Sequence, residues 1–184
     1  MALFRKIAAI GFFILPLFVV AQNEESIQWS VNKKLDWSDY LAKPSPTSDA
    51  AATTSTSIGI EYHVRNNVFS YTVACLFSKT RSWGRNRTDY ILQHEQGHFD
   101  ITEIFARKLA KELAEYKFDP EKYEHDVNKI YKRIMDEKEE YQNRYDTETD
   151  FSRNKEKQAE WLEKIQAELE KTSAFADYRS SISV

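Results

Sequence analysis

One pentad, His94-Glu95-Gln96-Gly97-His98, is the only H-E-x-x-H spelling in the chain, and it offers two imidazoles and a carboxylate within five residues. On a helix, residues four apart share a face one turn apart, so both imidazoles can reach one ion. Glu95 then falls on the adjacent flank, where its carboxylate can take a proton from water without being a ligand. Zinc suits this donor set, because it accepts imidazole nitrogen, lowers the pKa of bound water to about 7 and polarises a carbonyl. The plain alternative is a pair of core histidines with Glu95 solvated, and it requires a hydrogen-bond partner for each buried imidazole.

A helix is expected to carry the pentad. Ile91, Leu92, Ile101, Phe105, Leu109 and Leu113 recur at spacings of three and four, which predicts a helix from Thr88 to Tyr116 with one buried face and the two histidines at the core margin. Zinc needs a third protein ligand, and Asp100 and Glu103 lie off the histidine face, so the ligand comes from elsewhere. The downstream chain offers four candidates: His125, Asp146, Glu148 and Asp150. Asp119-Pro120-Glu121 has the form of a helix start, and Tyr123, Val127, Ile130, Ile134, Tyr141 and Tyr145 mark the inward face of a second helix. A polar break follows from Asp146 to Ser152. A third helix is expected from Arg153 to Lys171 with Trp161, Leu162, Ile165 and Leu169 inward, then a tail, 172–184, containing Phe175 and Tyr178. His125 sits between Glu124 and Asp126 and reads as a surface residue, while helix capping competes with ligation at Thr149 and Asp150.

Upstream, residues 22–87 are β-rich. Ile27, Trp29 and Val31 alternate with polar residues as a half-buried strand does, and Leu35 to Leu41 forms a short strand or turn. The stretch from Pro44 to Ser57 reads as loop. Ile58 to Val64 and Val68 to Phe77 are β-branched and aromatic runs on either side of Arg65-Asn66-Asn67, and paired asparagines tolerate the positive φ of a tight hairpin turn. Cys75 within the second run is expected to be a buried small hydrophobe, and His63 a strand-surface residue.

Residues 1–21 have the form of a secretory signal peptide, with Arg5 and Lys6 ahead of the apolar run Ile7 to Val20 and small residues before Gln22. The run is short of the roughly 20 residues a spanning helix needs, so an exported protein, periplasmic or extracellular and without a membrane span after cleavage, is expected. The remainder, 22–184, fits one domain, and a lone cysteine excludes an internal disulfide. The 26 Lys and Arg, less Arg5 and Lys6, face 29 Asp and Glu, a net charge of about −5 with no basic stripe. Nucleic acid is therefore not an expected partner, since a phosphate backbone needs clustered cations.

The strings Leu35-Asp36-Trp37-Ser38-Asp39-Tyr40, Ala51-Ala52-Thr53-Thr54-Ser55-Thr56, Ser82-Trp83, His94 to Ile101 with Ala106-Arg107, and Tyr145-Asp146-x-x-Thr149 with Gln158-x-x-Trp161 resemble the bacterial family of domain of unknown function 922. That family is described as predicted secreted zinc-dependent proteases. The resemblance spans nearly the whole chain after residue 21 and keeps the motif order. It implies an α+β fold in which a small antiparallel sheet is followed by three helices, with a zincin-like active-site helix. The resemblance implies a histidine at the position of Phe151 in many members, so here either Asp146, which matches the Tyr-Asp-x-x-Thr motif and is the favoured third ligand, substitutes for it or zinc binds weakly. The expected activity is peptide-bond hydrolysis, with His94, His98 and Asp146 on Zn²⁺, Glu95 as general base, Tyr145 or His63 near the developing oxyanion, and a peptide or protein as substrate. The alternative is a non-catalytic zinc-binding or envelope interaction protein on the same scaffold.

Overall fold

The computed structural model describes residues 25–178 and 182–183. The signal-peptide segment, 1–21, lies outside the described residues. The described chain is α+β: a small antiparallel sheet followed by three helices, α1 (Asp89–Glu115), α2 (Tyr123–Glu148) and α3 (Lys155–Lys171). The strands are β1 (Ser26–Gln28), β2 (Ala52–Thr53), β3 (Thr56–Arg65), β4 (Val68–Ser78), β5 (Trp83–Gly84) and β6 (Ile182–Ser183). The main sheet runs β1-β4-β3, with β6 also paired to β4, and β2 and β5 form a separate two-stranded ladder. Among the described residues no helix is long and apolar enough to cross a membrane.

The β3-β4 hairpin pairs Thr56 with Phe77 through to Arg65 with Val68, and turns at Asn66 and Asn67, whose φ angles are 53° and 61°. Those two angles are the ones a two-residue hairpin turn with the twist of its strands requires, and asparagine adopts them at low cost. Along β4, Phe69, Tyr71, Val73, Cys75 and Phe77 all point to one face and are buried, as a period of two demands. That face packs on α1.

The expected limits of α1 hold. Thr88 caps its N-terminus by accepting from the Ile91 amide at 3.2 Å, and Tyr116 closes its C-terminus. Its surroundings differ from expectation. Instead of one buried face, α1 is enclosed on nearly every side, by the sheet and by α2 and α3, so Asp100, Thr102, Glu103 and Arg107 are buried along with Phe99, Ile101, Ile104, Phe105, Leu109 and Leu113. The buried charges are answered: Asp100 accepts from the Trp29 indole at 2.6 Å, and Glu103 accepts from Arg107 Nε at 2.9 Å and from the Tyr178 hydroxyl. Arg107 also donates to the Leu169 carbonyl, which ties α1 to the end of α3 and the tail.

Other elements depart from the sequence expectation in their limits. β1 ends at Gln28, and Val31 is 70 % exposed in the turn that follows. Residues 37–39 form a 3-10 helix capped by Asp36, and the stretch read as loop before Ser57 contains β2 and the start of β3. Asp119 accepts from the Glu121 amide, but its backbone makes a turn, and α2 starts at Tyr123. At its far end α2 continues through Glu148, so Asp146 lies on a helix and not in a break. The break is 149–154, where Asp150, Phe151 and Ser152 have φ of 49°, 52° and 71°, and Asn154 caps α3.

Candidate metal centre

α1 and the last turns of α2 cross at the pentad. Their meeting is set by Gly97, because a Cβ built there would come within 2.8 Å of Tyr145 Cζ. The glycine lets the Tyr145 ring, itself fully buried, lie flat against His94 with centroids 4.5 Å apart and planes at 19°. The Tyr145 hydroxyl donates to the His94 carbonyl at 3.2 Å. Tyr145 thus braces the histidine from behind and is turned away from the role of oxyanion donor, and His63 is exposed on β3 and does not line the site. Gly97→Ala is expected to destabilise the fold by about 1–3 kcal/mol through overpacking, more than the helix propensity of alanine returns. Urea denaturation measures it, and an unchanged or higher midpoint would contradict the close approach.

On the next residue of α2, the carboxylate of Asp146 reaches both histidines. Its Oδ1 lies 3.1 Å from His94 Nε2 and 3.0 Å from His98 Nε2, and the potential ligand atoms of the three residues all lie within 4.8 Å of one another. The other candidates for a third donor are elsewhere. Glu148 accepts from the Trp161 indole at 2.8 Å, and Asp150 is exposed and paired with Arg153. His125 is exposed near the start of α2, about 30 Å along the helix axis from Asp146 at 1.5 Å per residue.

The donor set fits zinc in kind and in spacing. Two imidazole nitrogens and one carboxylate oxygen are the ligands of many open zinc sites, and donors about 2.0–2.1 Å from a tetrahedral ion stand roughly 3.3 Å apart. Burial alone would lower the His98 pKa, but hydrogen bonding to Asp146, the charges of Asp146 and Glu95, and Gln142 raise it to about 9. Burial would raise the Asp146 pKa, and the hydrogen bonds and charges of His94 and His98 hold it instead well below the ordinary carboxylate range.

Glu95 is 4 % exposed and lines the same cleft, and its Oε2 is buried with no hydrogen-bond partner. A buried carboxylate oxygen left unpaired is costly unless something outside the protein chain answers it. His94 Nδ1 is likewise without a partner, so its ring is fixed by stacking and not by a second hydrogen bond.

His98 is held differently. Its Nδ1 meets Gln142 Oε1, while Gln142 Nε2 donates to the His98 carbonyl at 2.9 Å and to Thr102 Oγ1 at 3.2 Å. Thr102 in turn meets Thr56 Oγ1 at 2.7 Å, so a polar chain runs from the first residue of β3 to the imidazole. Gln142 was not among the residues the sequence singled out. Its signal was its place four residues before Asp146, meaningful only once both are on one helix. Gln142→Leu is expected to weaken zinc binding by about 10–100-fold, the usual effect of losing an outer partner of a metal-binding histidine. A chelator-competition titration reads it, and an unchanged affinity would show that Gln142 does not orient His98.

The floor formed by these residues opens into a cleft of about 1100 Å³, with Thr53 to Thr56 along one wall, Tyr90 and Ile91 along another and the α2 face from Met135 to Asp146 along the third. Phe151, 58 % exposed, stands at its rim. A family model described as bacterial protein of unknown function (DUF922) matches residues 26–153, which contain the pentad, Gln142 and Asp146. The chain belongs to this family. Within this DUF922 protein, the matched stretch contains β2 with the first residue of β3, α1 and α2, which supply most of the cleft lining. No curated protein and no solved structure matches the chain.

Proposed function

We propose that this DUF922 protein is an exported zinc-dependent peptidase. The observation that carries the reading is the convergence of His94, His98 and Asp146 at the floor of an open cleft, beside the buried and unpaired oxygen of Glu95. In this reading His94, His98 and Asp146 hold the ion. Zinc, when bound, supplies a Lewis acid that makes water a nucleophile near neutral pH and polarises the scissile carbonyl. Glu95 takes the proton of the attacking water and passes it to the leaving amine, so that water adds across the C–N bond and two new termini form. Gln142 keeps the His98 ring aimed at the donor cluster, and Tyr145 does the same for His94.

The wall from Thr53 to Thr56 belongs to β2 and the start of β3, the outer strand of the hairpin. It can align an extended peptide by strand addition, with main-chain bonds supplying affinity independent of sequence. Export rests on residues 1–21. The test is incubation of the zinc-loaded protein with an unstructured peptide mixture and mass-spectrometric mapping of termini. New internal termini, absent in chelator, are expected, and none over an extended digest would overturn the reading. A second reading, a metal-binding module without hydrolysis, is favoured by Phe151, an apolar side chain exposed at the cleft rim where the family resemblance implies a histidine. It predicts bound zinc with no new termini.

A further inference from the structure

The cleft wall carries a cation that forms no ion pair among the described residues. Lys138 lies on α2 four residues before Gln142 and eight before Asp146, on the face that lines the cleft. Its side chain is half-buried, and its ammonium makes no hydrogen bond or ion pair with any other described residue. Two other cations of α2 are paired on the exposed face, Lys132 with Asp136 and Arg133 with Glu137, each one turn on. The positions one turn from Lys138 are Ile134, Met135, Tyr141 and Gln142, none of them acidic. At the rim Arg153 is held by Asp150, and Lys155 lies over the Tyr90 ring. Burial lowers the Lys138 pKa from its ordinary value, and the neighbouring Glu139 and Cys75 offset this only in part. A half-buried lysine that no carboxylate engages directly, with Glu139 acting on it only through space, is a place where an anion from outside gains more than it would on an open surface.

Its distance from the donor cluster limits what that anion belongs to. Eight residues of helix separate the Cα atoms of Lys138 and Asp146 by about 12 Å. A lysine side chain covers part of that span, and an extended peptide advances about 3.3 Å per residue, which leaves roughly two to four residues.

We propose that Lys138 anchors a carboxylate of the bound peptide a few residues from the scissile bond, so that the cleft selects peptides with an acidic side chain there or a chain end. The inference rests on the peptidase reading of the site. A lysine serving only to cover apolar surface with its stem would be replaced without consequence by methionine, and this separates the two roles.

The test uses zinc-loaded protein and a set of unstructured peptides that differ only in Glu or Gln at each of those positions, each with a free or an amidated C-terminus. Cleavage is followed by mass spectrometry and binding by fluorescence anisotropy. A preference for one carboxylate of about tenfold in KM, abolished in Lys138→Met and kept in Lys138→Arg, supports the inference. Dependence on the Glu/Gln exchange identifies a side-chain carboxylate, and dependence on amidation a chain end. Cleavage with no carboxylate preference overturns the inference and leaves the peptidase reading standing. Binding of acidic peptides that is lost in Lys138→Met, with no cleavage, keeps the anion site and removes the peptidase reading. Neither binding nor cleavage of any peptide overturns both.

Discussion

Glu95→Gln is expected to leave zinc binding unchanged and to lower peptide hydrolysis by about 10²–10⁴-fold, the usual contribution of a positioned general base. The residue is suited to that separation of roles. It is buried and lines the cleft, one of its oxygens has no partner, and it stands outside the cluster of His94, His98 and Asp146. Glutamine keeps the shape and removes the charge and with it the capacity to take a proton. Metal content and cleavage are therefore measured on the same preparation, so that a loss of zinc is not mistaken for a loss of chemistry. A Glu95→Gln protein that cleaves as fast as the parent would remove Glu95 from the mechanism.

Asp146→Ala is expected to weaken zinc binding by roughly a hundredfold or more, since 10–16 kcal/mol spread over four donors is about 3 kcal/mol for each. Glu148→Ala and Asp150→Ala, whose carboxylates are engaged by Trp161 and Arg153, are expected to leave it unchanged. The same cluster fixes a pH dependence. The His98 pKa stands at about 9 in the folded, metal-free protein against an ordinary 6.5. The protonated imidazole therefore stabilises the metal-free fold fully below pH 6.5, and that contribution is lost as pH rises through about 9. Zinc requires the ring unprotonated, so its uptake at neutral pH releases this proton, and apparent affinity rises about tenfold per pH unit until the folded pKa is passed. Calorimetric titration in buffers of different ionisation enthalpy reads the proton directly. Asp146→Ala removes the main cause of the raised pKa, and the proton release falls with it. Zinc uptake without proton release, or with the same release in Asp146→Ala, would contradict the cluster.

Where a local rule and the tertiary environment agree, the fold was legible from the residues. Thr88 and the apolar stripe through Leu113 marked α1 to its ends, and Asn66-Asn67 marked the hairpin, because capping and turn geometry are decided within a few residues. Asp119-Pro120 carried a helix-start signature just as clear, yet its backbone turns and α2 starts at Tyr123, where Tyr123 packs against Phe69 and Phe118. The acid-rich end of α2 read as a break because exposed polar residues fit a helix face as well as a loop. Gln142 and Lys138 fell within the expected second helix, but their roles depend on which of its faces meets the cleft, and that is set by packing. The pair Glu103 and Arg107 has the spacing of a surface ion pair, and only the distant Tyr178 and Leu169 reveal it as buried. His94 and His98 were legible because a metal-binding pair on one helix is a local pattern, whereas their third partner sits 48 residues after His98 on another helix and is fixed by packing.

If His94, His98 and Asp146 hold a zinc ion, elemental analysis of the protein purified without chelators, beside His94→Ala and Asp146→Ala and with circular dichroism to verify folding, reads it directly. About one zinc per chain in the parent, absent in His94→Ala and sharply reduced in Asp146→Ala, is the predicted result. A folded parent that takes up no zinc even when zinc is supplied, or a His94→Ala protein that keeps it, would contradict the account.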